Sequence, residues 1–127
     1  MTDLAGASIL VVEDERPLID LLTAAVVEAG CIVIGPAEDV PTALKLIDTT
    51  PISAAIVDLI VHGVYADAIV IELAKRGVPF AVTTGIGADF SHPELQGAMT
   101  ITKPFQASHV KSVLKQLIAN ELGLEAD

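Results

Sequence analysis

The feature that most constrains the fold is the regular alternation of short apolar runs with longer amphipathic stretches. Strands that are buried on both faces of a parallel sheet read as nearly continuous apolar runs, and five such runs occur here. They are Ser8–Val12, Cys31–Gly35, Ile52–Val57, Phe80–Thr83 and Met99–Thr102. Each run stops at polar, glycine or proline residues, so we expect five separate strands.

Helical periodicity fills the intervals between these runs. The predicted helices extend, in chain order, from Pro17 to Gly30, from the capping residue Asp39 to Asp48, from Asp67 to Arg76, over a weak segment after Ser91, and from Val110 to Leu122. Strands that alternate with helices in this way predict an α/β fold with helices on both faces of the sheet. We expect a doubly wound, flavodoxin-like sheet of five parallel strands with five helices and the strand order 2-1-3-4-5.

Composition narrows the range of functions. With 127 residues, 52% of them hydrophobic, the chain is expected to form a single domain over residues 1–127 with no output domain. A net charge of −10 argues against nucleic acid as a partner. We also expect no membrane association, because no apolar run reaches the length of a membrane span and no signal peptide is evident. Cys31 is the only cysteine, so an internal disulfide is excluded and a cytoplasmic location is expected.

Polar side chains stand where four of the five predicted strands end. They are Glu13 and Asp14, Asp58, Thr84, and Lys103. Because the carboxyl ends of parallel strands meet at one edge of the sheet, these groups are expected to converge. Two carboxylates about 4 Å apart repel by roughly 4 kcal/mol at an effective dielectric near 20, so a cation is needed. Hard oxygen ligands suit Mg²⁺, with Mn²⁺ as an alternative, and Asp58 is the natural nucleophile for a phosphoryl group.

Four segments carry a resemblance to a known family. In order, they are Ile9–Glu15, Ala55–Leu59, Val78–Gly85 and Thr102–Phe105. Over essentially its whole length the chain resembles the receiver domain of two-component response regulators, most closely the stand-alone alphaproteobacterial type. The resemblance implies that Asp58 accepts a phosphoryl group from a sensor histidine kinase or a histidine phosphotransfer protein.

The same resemblance implies roles for the other site residues. Glu13 and Asp14 match the acidic pair that holds Mg²⁺ together with Asp58, and the backbone carbonyl of Ile60 is a further expected ligand. Thr84 matches the switch hydroxyl of the family. Lys103 matches its lysine, which precedes a cis proline, here Pro104.

The chain also departs from the family pattern. Val61 and His62 stand where a Met-Pro pair is usual, and the role of His62 stays open. Thr100 replaces an aromatic residue that usually couples to the switch threonine. The adjacent Thr83 leaves the register of that threonine open by one residue. We prefer Thr84, because it directly precedes Gly85.

Two apolar residues stand where the family controls the loss of the phosphoryl group. Ile60 and Ile86 lie two positions after Asp58 and Thr84, respectively, and these positions flank the path of the attacking water in the family. Neither side chain can orient a water by hydrogen bonding. We therefore expect slow spontaneous dephosphorylation.

The resulting interpretation is a single-domain response regulator that signals through a downstream protein target or a phosphorelay. It would be a phosphoacceptor protein rather than an enzyme, although it could catalyse its own phosphorylation and dephosphorylation. A receiver-like interaction module with a vestigial site remains an alternative. A flavodoxin-like cofactor binder is a second alternative, but its phosphate cradle is rich in Ser, Thr and Gly, whereas Glu13, Asp14 and Glu15 follow the first strand here.

Overall fold

The structure, a computed structural model, describes residues 6–85 and 98–121, with side chains through residue 119. In chain order these ranges contain β1 (Ser8–Val12), α1 (Arg16–Glu28), β2 (Ile32–Ala37), α2 (Val40–Thr49), β3 (Ala54–Asp58), β4 (Ile60–Val61), β5 (Val64–Tyr65), α3 (Asp67–Lys75), β6 (Phe80–Thr84), β7 (Met99–Thr102) and α4 (Ala107–Glu121). The weak helix predicted after Ser91 lies outside the described residues. Within those ranges, no helix combines the length and the apolar character that crossing a membrane would require.

The main sheet has five strands in the spatial order β2-β1-β3-β6-β7, and every neighbouring pair is parallel. When only these five strands are counted along the chain, the order is 2-1-3-4-5. The predicted α/β fold, parallel sheet and strand order are therefore confirmed. This order places β1 and β3 side by side near the centre of the sheet. Acidic residues stand at the carboxyl end of both strands.

Alternate residues of the central strands pack into two different layers of the core. In β1, Ile9 and Val11 contact the cluster that contains side chains of α1 and α4. Leu10 and Val12 point the other way, into the cluster built with α2 and α3. All four side chains are fully buried. A strand covered on both faces must be apolar at every position, which explains the continuous apolar runs of the sequence.

The second strand is longer than predicted. Pro36 was expected to close it after Gly35, but β2 continues through Ala37. Gly35 has a φ of +97°, and a Cβ at this position would lie 2.7 Å from the backbone nitrogen of Ala37 and 3.1 Å from the carbonyl oxygen of Val11. The pairing with β1 shifts register at this point, between Leu10 and Val12. A bulge on an edge strand tolerates a proline, because fewer ladder hydrogen bonds are needed there.

A short antiparallel hairpin follows β3, in a segment for which only a loop was expected. Strands β4 and β5 pair Ile60 with Tyr65 and Val61 with Val64. The two residues between them, His62 and Gly63, have φ values of 49° and 73°. Positive φ at both central positions is the mark of a type I′ turn, whose twist matches that of a two-stranded ribbon.

Two residues of α1 allow the contribution of the core to be tested. Leu22 is fully buried, whereas Val27 is 63% exposed on the same helix. We expect Leu22→Ala to lower the free energy of unfolding by about 2–5 kcal/mol, because it leaves a cavity. Val27→Ala should change it by less than about 0.5 kcal/mol. Urea denaturation of both variants measures the difference, and equal losses would contradict the assigned packing.

Candidate functional site

Three carboxylates meet at the carboxyl edge of the central strands. Glu13 and Asp14 directly follow β1, and Asp58 is the last residue of β3. The two strands pair in parallel up to Val12 and Val57, so the next residue of each strand comes to lie side by side. One oxygen from each of the three carboxylates lies within 4.8 Å of the others. The structure thus brings together the acidic residues that the sequence places far apart.

Glu13 is the most deeply buried member of this acidic cluster, with no exposed surface. Its Oε2 accepts hydrogen bonds from the backbone amides of Asp14 and Glu15, both at 3.2 Å. Its Oε1 has no hydrogen-bond partner among the described residues. Burial, reinforced by the neighbouring charge of Asp58, raises the pKa of Glu13 to about 7. The carboxylate form of this residue therefore calls for a compensating positive charge.

Lys103 supplies a positive charge at the same edge. Its Nζ lies 3.1 Å from Asp58 Oδ2 and 3.8 Å from Glu13 Oε1. Burial alone would lower the pKa of Lys103, but the carboxylates of Asp58 and Glu13 outweigh it, so that the pKa lies above its usual value. The peptide bond to Pro104 is cis, as the family resemblance implies. One ammonium still faces three carboxylates, so the cluster keeps an excess of negative charge.

The two candidate threonines end β6 beside this cluster. Thr83 pairs with Asp58 in the sheet, and its buried hydroxyl has no hydrogen-bond partner in the described part of the chain. Thr84, the last residue of the strand, is 4% exposed, and its carbonyl accepts the backbone N–H of Lys103 at 2.7 Å. The main chain of Thr84 is thus joined directly to the residue that contacts Asp58. The role of its hydroxyl stays a prediction.

The hairpin contributes two backbone donors to the site. The amide of Ile60 donates to Asp58 Oδ1 at 3.3 Å, and the amide of His62 donates to Asp14 Oδ2 at 2.9 Å. Sequence reasoning missed both contacts, because a His-Gly pair is a weaker turn signal than the Asn-Gly or Asp-Gly pairs that mark most two-residue hairpins. The carbonyl of Ile60 remains a predicted metal ligand.

Thr100, which stands where the family has an aromatic residue, is exposed in β7. Ile86 lies outside the described residues.

The donor set of the cluster fits a divalent cation. Three carboxylates offer hard oxygen ligands, the kind that Mg²⁺ and Mn²⁺ prefer. The unpartnered Oε1 of Glu13 is buried where an added positive charge would relieve its desolvation. Glu13, Asp14 and Asp58 could therefore hold such an ion. With Lys103, they form an edge at which an incoming anion would meet both positive and negative charge.

The chain matches no protein-family model and no curated protein sequence. Solved structures are informative, because several receiver domains resemble it over nearly its full length. SdrG from Sphingomonas melonis has 27% identity and a TM-score of 0.76, and the match covers 96% of this chain and 99% of that one. The signal receiver domain of a modulated diguanylate cyclase from Desulfovibrio desulfuricans has 18% identity and a TM-score of 0.82, with 94% and 99% covered.

NtrX from Brucella abortus is a third match, with 25% identity and a TM-score of 0.80. The match covers 92% of this chain but only 28% of NtrX, so the chain spans little more than a quarter of that protein. A CheY-like receiver domain protein from Methanospirillum hungatei, at 16% identity, is matched over 98% of its length. The predicted resemblance to response regulator receiver domains is confirmed at the level of the fold.

The raised pKa of Glu13 predicts a pH-dependent stability of the metal-free protein. The pKa is 4.5 in the unfolded chain and about 7 in the folded protein. Protons therefore bind more tightly to the folded state, and this residue's contribution is complete below pH 4.5 and lost as the pH rises through 7. The loss amounts to at most about 3 kcal/mol.

The substitution Glu13→Gln removes this contribution, since an amide does not titrate. Measured by urea denaturation in chelator, wild type should lose stability relative to Glu13→Gln as the pH rises from about 4 to about 8, a range that contains both pKa values of Glu13. Parallel pH profiles for the two proteins would contradict the assignment.

Proposed function

We propose that this chain is a response regulator receiver domain that accepts a phosphoryl group on Asp58 in a Mg²⁺-dependent reaction. The observation that carries the proposal is the approach of Lys103 Nζ to within 3.1 Å of Asp58 Oδ2, beside the carboxylates of Glu13 and Asp14. A nucleophilic carboxylate, a fixed cation and a potential metal site thus occupy one sheet edge. The similarity in fold to receiver domains supports the same function.

The phosphodonor in this proposal is a phosphohistidine on a sensor kinase or a histidine phosphotransfer protein. A carboxylate oxygen of Asp58 forms the new bond to phosphorus while the phosphorus–nitrogen bond of the donor breaks. The donor imidazole keeps the electron pair of that bond and takes a proton from solvent, which leaves it neutral. Binding of the donor protein supplies the alignment on which phosphoryl transfer depends.

Mg²⁺ has a defined task at this site. A phosphoryl group carries about −1.5 to −2 charges, and it would approach a cluster that already has an excess of carboxylates. Glu13, Asp14, Asp58 and the carbonyl of Ile60 are the residues that would hold the ion. When bound, the ion supplies the charge neutralisation that lets the phosphoryl oxygens come close. Lys103, already directed at Asp58, adds charge-assisted hydrogen bonds to the same oxygens.

Phosphorylation at the site would change the structure of β6 and β7, the last two strands of the sheet. The carbonyl of Thr84 and the amide of Lys103 form a 2.7 Å hydrogen bond between β6 and the end of β7. Attraction of Lys103 or the Thr84 hydroxyl to a phosphoryl group would therefore shift this edge and the helix α4 that follows it. We infer a downstream protein target or a phosphorelay partner. A net charge of −10 makes nucleic acid an unfavourable partner.

Phosphorylation should occur only at Asp58. Incubation with phosphoramidate and Mg²⁺ is expected to add one phosphoryl group to the wild type and none to Asp58→Asn, as read by intact-mass spectrometry. Asp20→Asn, at an exposed position on α1, serves as the matched control and should behave like wild type. Full modification of Asp58→Asn would refute the acceptor assignment. Modification that persists in excess chelator would refute the metal dependence, and no modification of wild type would favour a vestigial interaction module.

The phosphorylated form should lose its phosphate slowly. Ile60 stands two positions after Asp58, where the family resemblance implies a side chain beside the path of an attacking water, and an isoleucine side chain cannot orient that water by hydrogen bonding. We expect Ile60→Asn to accelerate the decay of isolated phosphoprotein about tenfold, the equivalent of one positioning hydrogen bond. Val64→Asn makes a similar change at an exposed position of the same hairpin and should decay like wild type. Equal decay rates for Ile60→Asn and wild type would contradict the shielding role.

A further inference from the structure

The hairpin of β4 and β5 is attached to the acidic cluster by its main chain at two points. The amide of Ile60 donates to Asp58 at 3.3 Å, and the amide of His62 donates to Asp14 at 2.9 Å. The second contact is the shorter one, and it joins residues 48 positions apart in the chain. The turn of the hairpin is therefore a fixed neighbour of Asp14.

Asp14 is the member of the cluster that most needs such a neighbour. Its side chain is 21% exposed, whereas the side chains of Glu13 and Asp58 are 0% and 6% exposed. The two buried carboxylates are held both by packing and by hydrogen bonds, from two backbone amides to Glu13 and from Lys103 and an amide to Asp58. A partly exposed aspartate can rotate toward solvent unless a hydrogen bond holds it, and the amide of His62 provides one.

The direction of that amide depends on an unusual backbone conformation. His62 is the one non-glycine residue with a positive φ in the described part of the chain, at 49°. Histidine, asparagine and aspartate enter this left-handed region more readily than other residues, and β-branched residues strongly avoid it. Together with Gly63, at 73°, this conformation builds the turn that presents the His62 amide to Asp14.

We propose that His62 is a positioning residue for the metal site, acting through its main-chain amide to fix the carboxylate of Asp14. This inference rests on the proposed function, because it assumes that Asp14 holds a divalent ion. The inference assigns a role to His62, whose role the family resemblance leaves open. Loss of a group that orients a metal ligand typically weakens metal affinity about 10- to 100-fold.

The imidazole of His62 is a less suitable agent than the amide. Its Nδ1 lies 3.8 Å from Asp14 Oδ2, beyond hydrogen-bond distance, and its side chain is 60% exposed. Among the described residues, the potential metal ligands that lie close together are Glu13, Asp14 and Asp58. His62 is not one of them. If the amide acts, variants that delete the imidazole but keep the left-handed turn should bind metal normally. If the imidazole acts, the same variants should bind metal more weakly.

The test is Mn²⁺ affinity, measured by electron paramagnetic resonance on the full chain without any phosphodonor. Glycine and asparagine both accept a positive φ, so His62→Gly and His62→Asn should bind Mn²⁺ with affinities close to that of wild type. His62→Val should bind it about tenfold more weakly, because valine moves the turn out of the left-handed region and withdraws the amide.

Gly77→Val is the matched control for the backbone penalty. Gly77 has a φ of +70° after α3, with open space around a Cβ at this position. The variant should lower the free energy of unfolding and leave Mn²⁺ affinity unchanged. A loss of affinity in Gly77→Val as large as that in His62→Val would overturn the proposal, because it would trace the effect to general instability.

Hydrogen exchange gives a second measurement that does not depend on the valine variant folding. The amide of His62 should be protected in wild type and lose that protection in Asp14→Ala, while the amides of α1 keep theirs. Wild-type affinity in His62→Val, a loss in His62→Gly and His62→Asn equal to that in His62→Val, or unchanged protection in Asp14→Ala would each overturn the proposal. Failure of wild type to bind Mn²⁺ would instead refute the metal dependence of the proposed function.

Discussion

The mutual repulsion of three carboxylates at one sheet edge is the constraint on which the site depends. Parallel pairing of β1 with β3 forces Glu13 and Asp58 together, and the chain direction after β1 adds Asp14. One lysine offsets part of this charge, at 3.1 Å from Asp58. Burial, together with the neighbouring negative charge of Asp58, raises the pKa of Glu13, so that a further positive charge would stabilise its carboxylate form. The fold thus leaves uncompensated negative charge at the site.

The packed strands behind the three carboxylates hold them close together despite their repulsion. The strands behind the carboxylates are fully buried and packed on both faces, so the acidic edge cannot relax by spreading apart. Backbone amides also donate hydrogen bonds to the carboxylates: two donate to Glu13, one to Asp58 and one to Asp14. Amides provide hydrogen bonds without adding a full positive charge, which leaves the demand for a cation intact. Preorganisation of this kind is what phosphoryl transfer requires from a protein.

Much of this arrangement could be predicted from the sequence because two of its signals are strong. Continuous apolar runs identify the strands of a covered sheet, and polar residues at their ends identify the edge where Asp58 and Lys103 meet. The hairpin was missed because its turn uses histidine in place of the more usual asparagine or glycine. The end of β2 was misplaced because Pro36 is a stop signal in most strands but tolerable at an edge bulge. The choice between Thr83 and Thr84 depends on side-chain direction at a strand end, which periodicity does not specify.

The irregular end of β2 has a consequence for how this molecule meets others. This strand lies at an open edge of the sheet, where unpaired backbone groups can template the addition of a foreign strand and start aggregation. Pro36 has no N–H to offer, and the bulge at Gly35 breaks the regular spacing that such a strand would need. The same two residues that lengthen the strand therefore protect its edge. The chain is thereby shielded from one common route to irreversible association.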